Sequence, residues 1–342
     1  MSRNPSPPIL VTGIHRSGST FVGKMLTINK EIGYIQEPFN KFYGLDSFDK
    51  NFKYLKFNVV PEATKLAIDD LIHLNKATYH ITSYIKNNKP VQDRLELFNE
   101  AILNINFENL LPYIGKLLFR SKSQLRFQLV KLNPFIDRIL IKDPLAAFAS
   151  QYLHQKYDMN VVVLVRHPLS FAGSLKRLGW RFDFDNFLGQ QQLMDDYLNV
   201  FEEELIYLRN KNTTVVEEAV MLWNCVYTVL ADFIRKNPSF IVYTHEEIAR
   251  SPLASFDDLY NRLNLGLSSS VKEKIESLTS SDNPVEAKNN QAHQFNRDSA
   301  NLIYKWKDIL SSKEIAYVTE KTESLASTFY KQNFWASDNH IS

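Results

Sequence analysis

The residues Gly13-Ile-His-Arg-Ser-Gly-Ser-Thr20 put two glycines, three hydroxyls and one arginine between an apolar run and a helix-forming stretch. Glycines let a backbone approach a ligand closely, and free N–H groups at a helix start point at a phosphate. The spacing nearly fits the triphosphate loop GxxxxGKS/T, but Ser19 stands where that loop has its lysine. Arg16, three places earlier, is the only cation in the loop. A kinase or ATPase without that lysine loses a contact to the β- and γ-phosphates. Arg166 and Ser174, eight positions apart, form a second candidate grip. Eight helical residues rise about 12 Å, and Pro168 with its turn shortens that reach, so both side chains are expected on one phosphate. Two anion grips, one for each end of a nucleotide, suit a bisphosphorylated cofactor better than a triphosphate. Glu37 lies 21 positions after Arg16. Pro38 is expected to hold it extended, with its carboxylate projecting from a sheet edge. Lys142 stands in Ile-Lys-Asp-Pro.

Positioning these residues requires strands that end together. Ile9 to Val11 is a short apolar run, and Thr20 to Leu26 reads as a helix with Phe21, Val22, Met25 and Leu26 on one face. Tyr34 to Gln36 is a second strand that stops at Glu37-Pro38. Arg138-Ile-Leu-Ile141 is a third, followed by a helix over 146–156. Val161 to Val165 is an unbroken β-branched and leucine run, the pattern of a strand buried on both faces, and a helix follows through Leu178. Helices are expected over 184–209 and 215–236, with a strand at Phe240 to Thr244 between them and the C-terminal third. Ser311-Ser-Lys-Glu314 is a capping box that opens a last helix. The alternation predicts an α/β fold: one P-loop-type parallel sheet flanked by helices on both faces. Residues 41–137, rich in Lys, Asn, Leu and Phe, read as a helical insertion or cap on a single domain spanning 1–342. In such sheets ligands bind outside the carboxyl ends of the strands, where Arg16, Glu37, Lys142 and Arg166 all fall.

The motif Arg16-Ser17-Gly18-Ser19-Thr20-Phe21 after a strand resembles the 5′-phosphosulfate loop of the sulfotransferases that use 3′-phosphoadenosine 5′-phosphosulfate (PAPS). The segment Val161 to Arg177 is similar to that family's 3′-phosphate site, with Arg166 and Ser174 as its residues. The loop-to-glutamate spacing and Lys142-Asp143-Pro144 look most like the protein-tyrosine sulfotransferase branch and its bacterial relatives. The resemblance implies that Glu37 is the catalytic base and that Lys142 stabilises the transferring group; Arg16 with Lys142 is expected to keep Glu37 ionised and to neutralise charge on the leaving bisphosphate. It implies that Arg297 and Ser299, in a late loop before Trp306-Lys307, touch the 3′-phosphate. It covers about residues 8–40 and 138–335. Sulfuryl transfer, like phosphoryl transfer, asks for positioning and charge stabilisation more than covalent work. No metal is required.

The family's small-molecule enzymes use a histidine base, so His15, His154, His167 and His245 are rivals, each read here as structural. In the insertion, Lys116, Arg120, Lys122, Arg126 and Lys131 form a basic stretch that either binds an anionic acceptor or is a solvated face. Phe39, Phe42 and Tyr43 are placed to stack on a sugar or aryl ring, or are core. The expected acceptor is a hydroxyl, with a carbohydrate or glycolipid favoured, then a small phenol, then a peptide tyrosine. The rival readings are an NTP-dependent kinase, with Asp143 as its magnesium carboxylate, and a non-catalytic nucleotide-binding relative.

Composition fits a globular chain, with 44% hydrophobic and 23% charged residues. Forty basic against 38 acidic side chains leave a net charge of +2, which offers no general attraction for nucleic acid. One cysteine, Cys225, excludes an internal disulfide framework. Apolar runs of at most five residues predict no membrane span, and a cytoplasmic bacterial setting is expected.

Overall fold

A computed structural model of the protein describes residues 6–79, 122–210, 213–279 and 303–330. Strands β1 (Ile9–Gly13), β2 (Ile32–Gln36), β3 (Arg138–Lys142), β4 (Asn160–Val165) and β5 (Ile241–Thr244) form one parallel sheet in the order β2-β3-β1-β4-β5. Lys142 is opposite both Gln36 and Val11, Gly13 is opposite Leu164, and Val165 is opposite Thr244. The carboxyl ends therefore reach one rim within about two residues of each other.

Successive side chains alternate between two hydrophobic cores. Leu10, Ile141, Val161 and Val163 pack on one side, and Ile9, Val11, Leu140, Val162 and Leu164 on the other. Burial of both faces is what selects the unbroken apolar runs. From β1 the chain moves outward past β3 to reach β2; from β3 and β4 it moves in the opposite direction. Right-handed crossovers then place the following segments on opposite faces. Helix α1 (Ser19–Leu26) packs Val22, Met25 and Leu26 against Ile9 and Val11. The turn Pro144–Ala149 and helix α4 (Ser150–Tyr157) pack against Leu10 on the other side. A crevice opens where the direction reverses, at the carboxyl end of β1.

Between β2 and β3 lie α2 (Glu62–Ile72) and α3 (Lys122–Leu132). Of the stretch read as an insertion, Leu45, Phe48, Phe52 and Leu55 sit in irregular chain and join the core of the sheet. Residues 80–121 lie outside the described residues. After β4 come α5 (Pro168–Leu178), α6 (Glu202–Asn210) and the 22-residue α7 (Val215–Lys236), which opens with a capping box at Thr214 and Glu217. Helix α8 (His245–Arg250) starts directly from β5 with a second capping box, and α9 (Pro252–Arg262), α10 (Ser269–Thr279) and α11 (Ser312–Ala326) follow. The box at Ser311 and Glu314 caps α11 as its sequence predicts.

The single helix expected over 184–209 is broken into short helical turns before α6. One break falls at Gln190, whose side chain accepts from Tyr54 N and donates to Phe52 O and Asn186 O, bridging to a distant loop; others follow over Met194–Leu198 and Asn199–Phe201. The helix expected at 146 is a tighter 3₁₀ turn until Ser150, because Asp143 caps it through Leu145 N.

Candidate functional site

The loop after β1 is held in a shape that side chains resist. Gly13 has φ 137°, and a Cβ there would lie 2.2 Å from Leu164 O, so the loop leaves the sheet pressed against β4. Gly18, which opens α1, has φ 92°, and a Cβ there would lie 2.8 Å from His245 Nδ1. Arg16 also takes a positive φ, 66°. Its carbonyl accepts from Arg166 Nη1 at 2.5 Å, and its Nε donates to Ser174 Oγ at 3.4 Å. Its guanidinium sits 5.6 Å from the Trp180 ring centre. The two candidate grips are thus cross-linked: Arg166 holds the loop, and the loop arginine holds Ser174.

Arg166 is clamped from behind. Trp223 and Tyr227 of α7, both fully buried, bond its backbone: Trp223 Nε1 donates to Arg166 O at 2.8 Å, and Arg166 N donates to Tyr227 Oη at 3.2 Å. Burial holds its guanidinium below the usual arginine range, an effect that Glu246 opposes. Two buried polar atoms at this site have no protein partner, Arg166 Nε and Ser17 Oγ. Unpaired buried donors are rare. These two suit a phosphate oxygen.

Glu37 lies at the other end of the site. Lys142 Nζ donates to its Oε1, and Tyr43 Oη donates to its Oε2. The Lys142 side chain is 2% exposed and that of Glu37 is 16%. Glu37 is not extended: φ is 49°, in the left-handed region. The hydrogen bonds around it outweigh the preference imposed by Pro38. Glu37 N donates to Lys142 O at 2.8 Å, and Phe39 N donates to Asp143 Oδ2 at 2.7 Å. Such a backbone costs on the order of 1–3 kcal/mol and persists only where its surroundings fix it.

Lys142 reaches Glu37 past Gly23 in the middle of α1. A Cβ at Gly23 would lie 3.1 Å from Lys142 Cγ and 3.2 Å from Tyr34 Cε2. Gly23→Ala should gain roughly 1 kcal/mol in helix propensity, so the melting temperature should hold or rise. The lysine stem must shift, and small displacements of reacting groups are expensive: turnover should fall about tenfold. Unchanged turnover would show that the Lys142 position is not critical.

Arg16, Ser17, Gly18, Ser19, Thr20, Phe21, Glu37, Lys142, Arg166 and Ser174 all line one cavity of about 590 Å³. Arg297 and Ser299 lie outside the described residues. The lining adds Arg177, Arg181 and Lys305, so six cations face one carboxylate among the described residues. Arg181 is also paired with Glu218 at 2.9 Å. Phe42 and Trp180, 65% and 43% exposed, stand at the cavity with Phe52 and Phe182. Tyr43, read as a stacking ring, instead uses its hydroxyl on Glu37. Phe39 is core. Of the basic stretch, Arg126 donates to Gln36 Oε1 at 2.5 Å and Lys131 to Asn75 O. Lys116 and Arg120 lie outside the described residues, as does the side chain of Lys122.

Among the histidines, His15 and His245 also line the cavity. His15 packs against Phe52, Phe171 and Trp180, and burial with Arg16 lowers it to about 4. Burial with Arg166 and Arg16 lowers His245 to about 3, and burial with Arg250 lowers His167 to about 3. Unfolded histidine titrates near 6.5, so the unfolded chain takes up protons first. The stability these three contribute is present above about pH 6.5 and is lost as pH falls toward 4 and below. Asp143, raised to about 7 by burial and the charge of Glu37, works in the opposite sense, as does Glu246, raised by burial. Three histidines should outweigh two acids: the melting temperature should fall as pH drops from 6.5 to 4. A flat or rising profile would contradict this.

No family model and no curated protein matches the chain. Solved structures resemble it at low identity. A sulfotransferase domain from the curacin biosynthetic pathway is 14% identical with a TM-score of 0.42, covering 94% of this chain and 99% of that one. A sulfotransferase domain from the olefin synthase of Synechococcus is 15% identical with a TM-score of 0.42, covering 96% of each. Retinol dehydratase in complex with retinol and PAP is 13% identical with a TM-score of 0.41, covering 94% of this chain and 82% of that one. Overlap at this level assigns no role to any residue here. Among the described residues no helix is long and apolar enough to cross a membrane.

Proposed function

We propose that the protein transfers a sulfuryl group from PAPS to an acceptor hydroxyl, by in-line displacement with Glu37 as general base. The observation that carries this is the meeting, in one cavity, of a lysine-free anion loop and a carboxylate held between Lys142 and Tyr43. The unpaired Ser17 Oγ and Arg166 Nε fit the donor's phosphates. Ser17, Gly18, Ser19, Thr20 and Phe21 would hold its 5′ end, and Arg166 with Ser174 its 3′-phosphate. Glu37 would take the acceptor's proton, while Lys142 and Arg16 neutralise charge developing on the leaving bisphosphate. Arg297 and Ser299 are assigned to the 3′-phosphate on the sequence resemblance alone. The exposed Phe42 and Trp180 offer flat faces to an acceptor ring, and a carbohydrate or glycolipid hydroxyl is the favoured class.

The kinase reading loses its metal ligand. The Asp143 carboxylate is fully buried and accepts from Phe39 N and Leu145 N, which makes it a cap. Incubation of the protein with PAPS and a panel of glycans and phenols tests the proposal. Acceptor-dependent release of adenosine 3′,5′-bisphosphate is the expected result; no release with any acceptor, together with ATP turnover, would overturn it.

A further inference from the structure

Both oxygens of Glu37 are occupied, and the two occupants differ in kind. Lys142 is buried: its side chain is 2% exposed and its stem packs beside Gly23. Tyr43 stands at the cavity beside the exposed Phe42. Its contact is a hydroxyl donating to a carboxylate, the same contact a general base makes with the alcohol it activates. We propose that the Tyr43 hydroxyl keeps the acceptor's place on Glu37, closing the base to water until an acceptor hydroxyl displaces it.

This rests on the sulfuryl-transfer reading and gives that site a gate. A transferase holding an activated donor next to a free base would waste the donor on water. In that side reaction a water oxygen bonds to sulfur and the bond from sulfur to the 5′-phosphate oxygen breaks. A water proton passes to Glu37 Oε2, and sulfate and the bisphosphate leave. Tyr43 on Oε2 denies water that position. Burial, the charge of Glu37 and the hydrogen bond to it all raise the phenol well above its ordinary range, so it stays a donor and does not compete as a nucleophile.

The backbone under the ring is fixed. Leu45 N donates to Pro38 O and Gly44 N to Asn40 O, each at 2.7 Å. A Cβ at Gly44 would lie 2.3 Å from Pro38 O, which leaves the turn no slack. Exchange of hydroxyls is therefore a rotation of the Tyr43 side chain and needs no loop opening.

The test needs no acceptor. The protein is incubated with PAPS alone, and release of sulfate and bisphosphate is followed. Tyr43→Phe should hydrolyse PAPS about tenfold faster than the parent, as expected when water gains a general base. The double variant Tyr43→Phe with Glu37→Gln should fall back to the parent rate or below. Calorimetry with adenosine 3′,5′-bisphosphate accompanies each variant. Unchanged or slower hydrolysis with bisphosphate binding intact would overturn the gate and leave Tyr43 a residue that positions Glu37 or supports the fold. Absence of bisphosphate binding in the parent itself would instead remove the sulfuryl-transfer reading, and the gate with it.

Discussion

Glu37→Gln should lower turnover roughly 10²–10⁴-fold, the usual contribution of a positioned general base, while adenosine 3′,5′-bisphosphate binds as before. Glutamine keeps the shape. Its carbonyl can accept from Lys142, and its amide can donate to the Tyr43 oxygen, reversing that contact. What is lost is the ability to take a proton. The substituted position lies across the cavity rim from the Arg166–Ser174 grip, at the end of the edge strand β2, so the nucleotide grips should not feel it. Initial-rate kinetics and calorimetry on the same preparation separate the two effects. Near-normal turnover would pass the base to a histidine, and His15, which lines the same cavity, would be the first to replace.

Arg166→Met should weaken bisphosphate binding about 10–100-fold, since hydrogen bonds to charged groups contribute about 1.5–3 kcal/mol. Two losses combine. The unpaired buried Nε is lost, and the Arg16 carbonyl loses the Nη1 donor that shapes the loop. The second loss also reaches the fold, because the part-buried Arg16 carbonyl loses a charged donor, so the melting temperature should drop. Ser174→Ala provides the scale. Its hydroxyl receives only a long 3.4 Å bond from Arg16, and its removal should weaken binding by no more than about tenfold. Equal losses for both variants would mean that Arg166 does not dominate this end of the site.

The sheet was legible because its strands are buried on both faces. Val161 to Val165 and Arg138 to Ile141 carry an apolar side chain at nearly every position, and a strand is the short element that needs this. Arg16, Glu37, Lys142 and Arg166 were legible because each sits at or just after the carboxyl end of a strand, where chain direction and the reversal at β1 bring side chains together. Local rules failed where a distant partner overrode them. Nothing near Gln190 shows that its side chain will bridge to Phe52 and Tyr54 at a break in the helix. Pro38 is a sound local reason for an extended Glu37, but hydrogen bonds to Lys142 and Asp143, more than 100 residues away, set its backbone. Tyr43 gave no sign of its hydroxyl contact beyond lying six residues from Glu37. Gly23 did leave a trace: a glycine inside a helix calls for a close neighbour, and the neighbour is Lys142.

A calorimetric titration of the purified protein with adenosine 3′,5′-bisphosphate, set beside one with ATP and magnesium, bears most directly on whether this rim cradles a doubly phosphorylated nucleotide. Micromolar binding of the bisphosphate and none of ATP is the outcome predicted by a lysine-free loop joined to the Arg166 grip. Micromolar binding of ATP with magnesium, and silence with the bisphosphate, would contradict it.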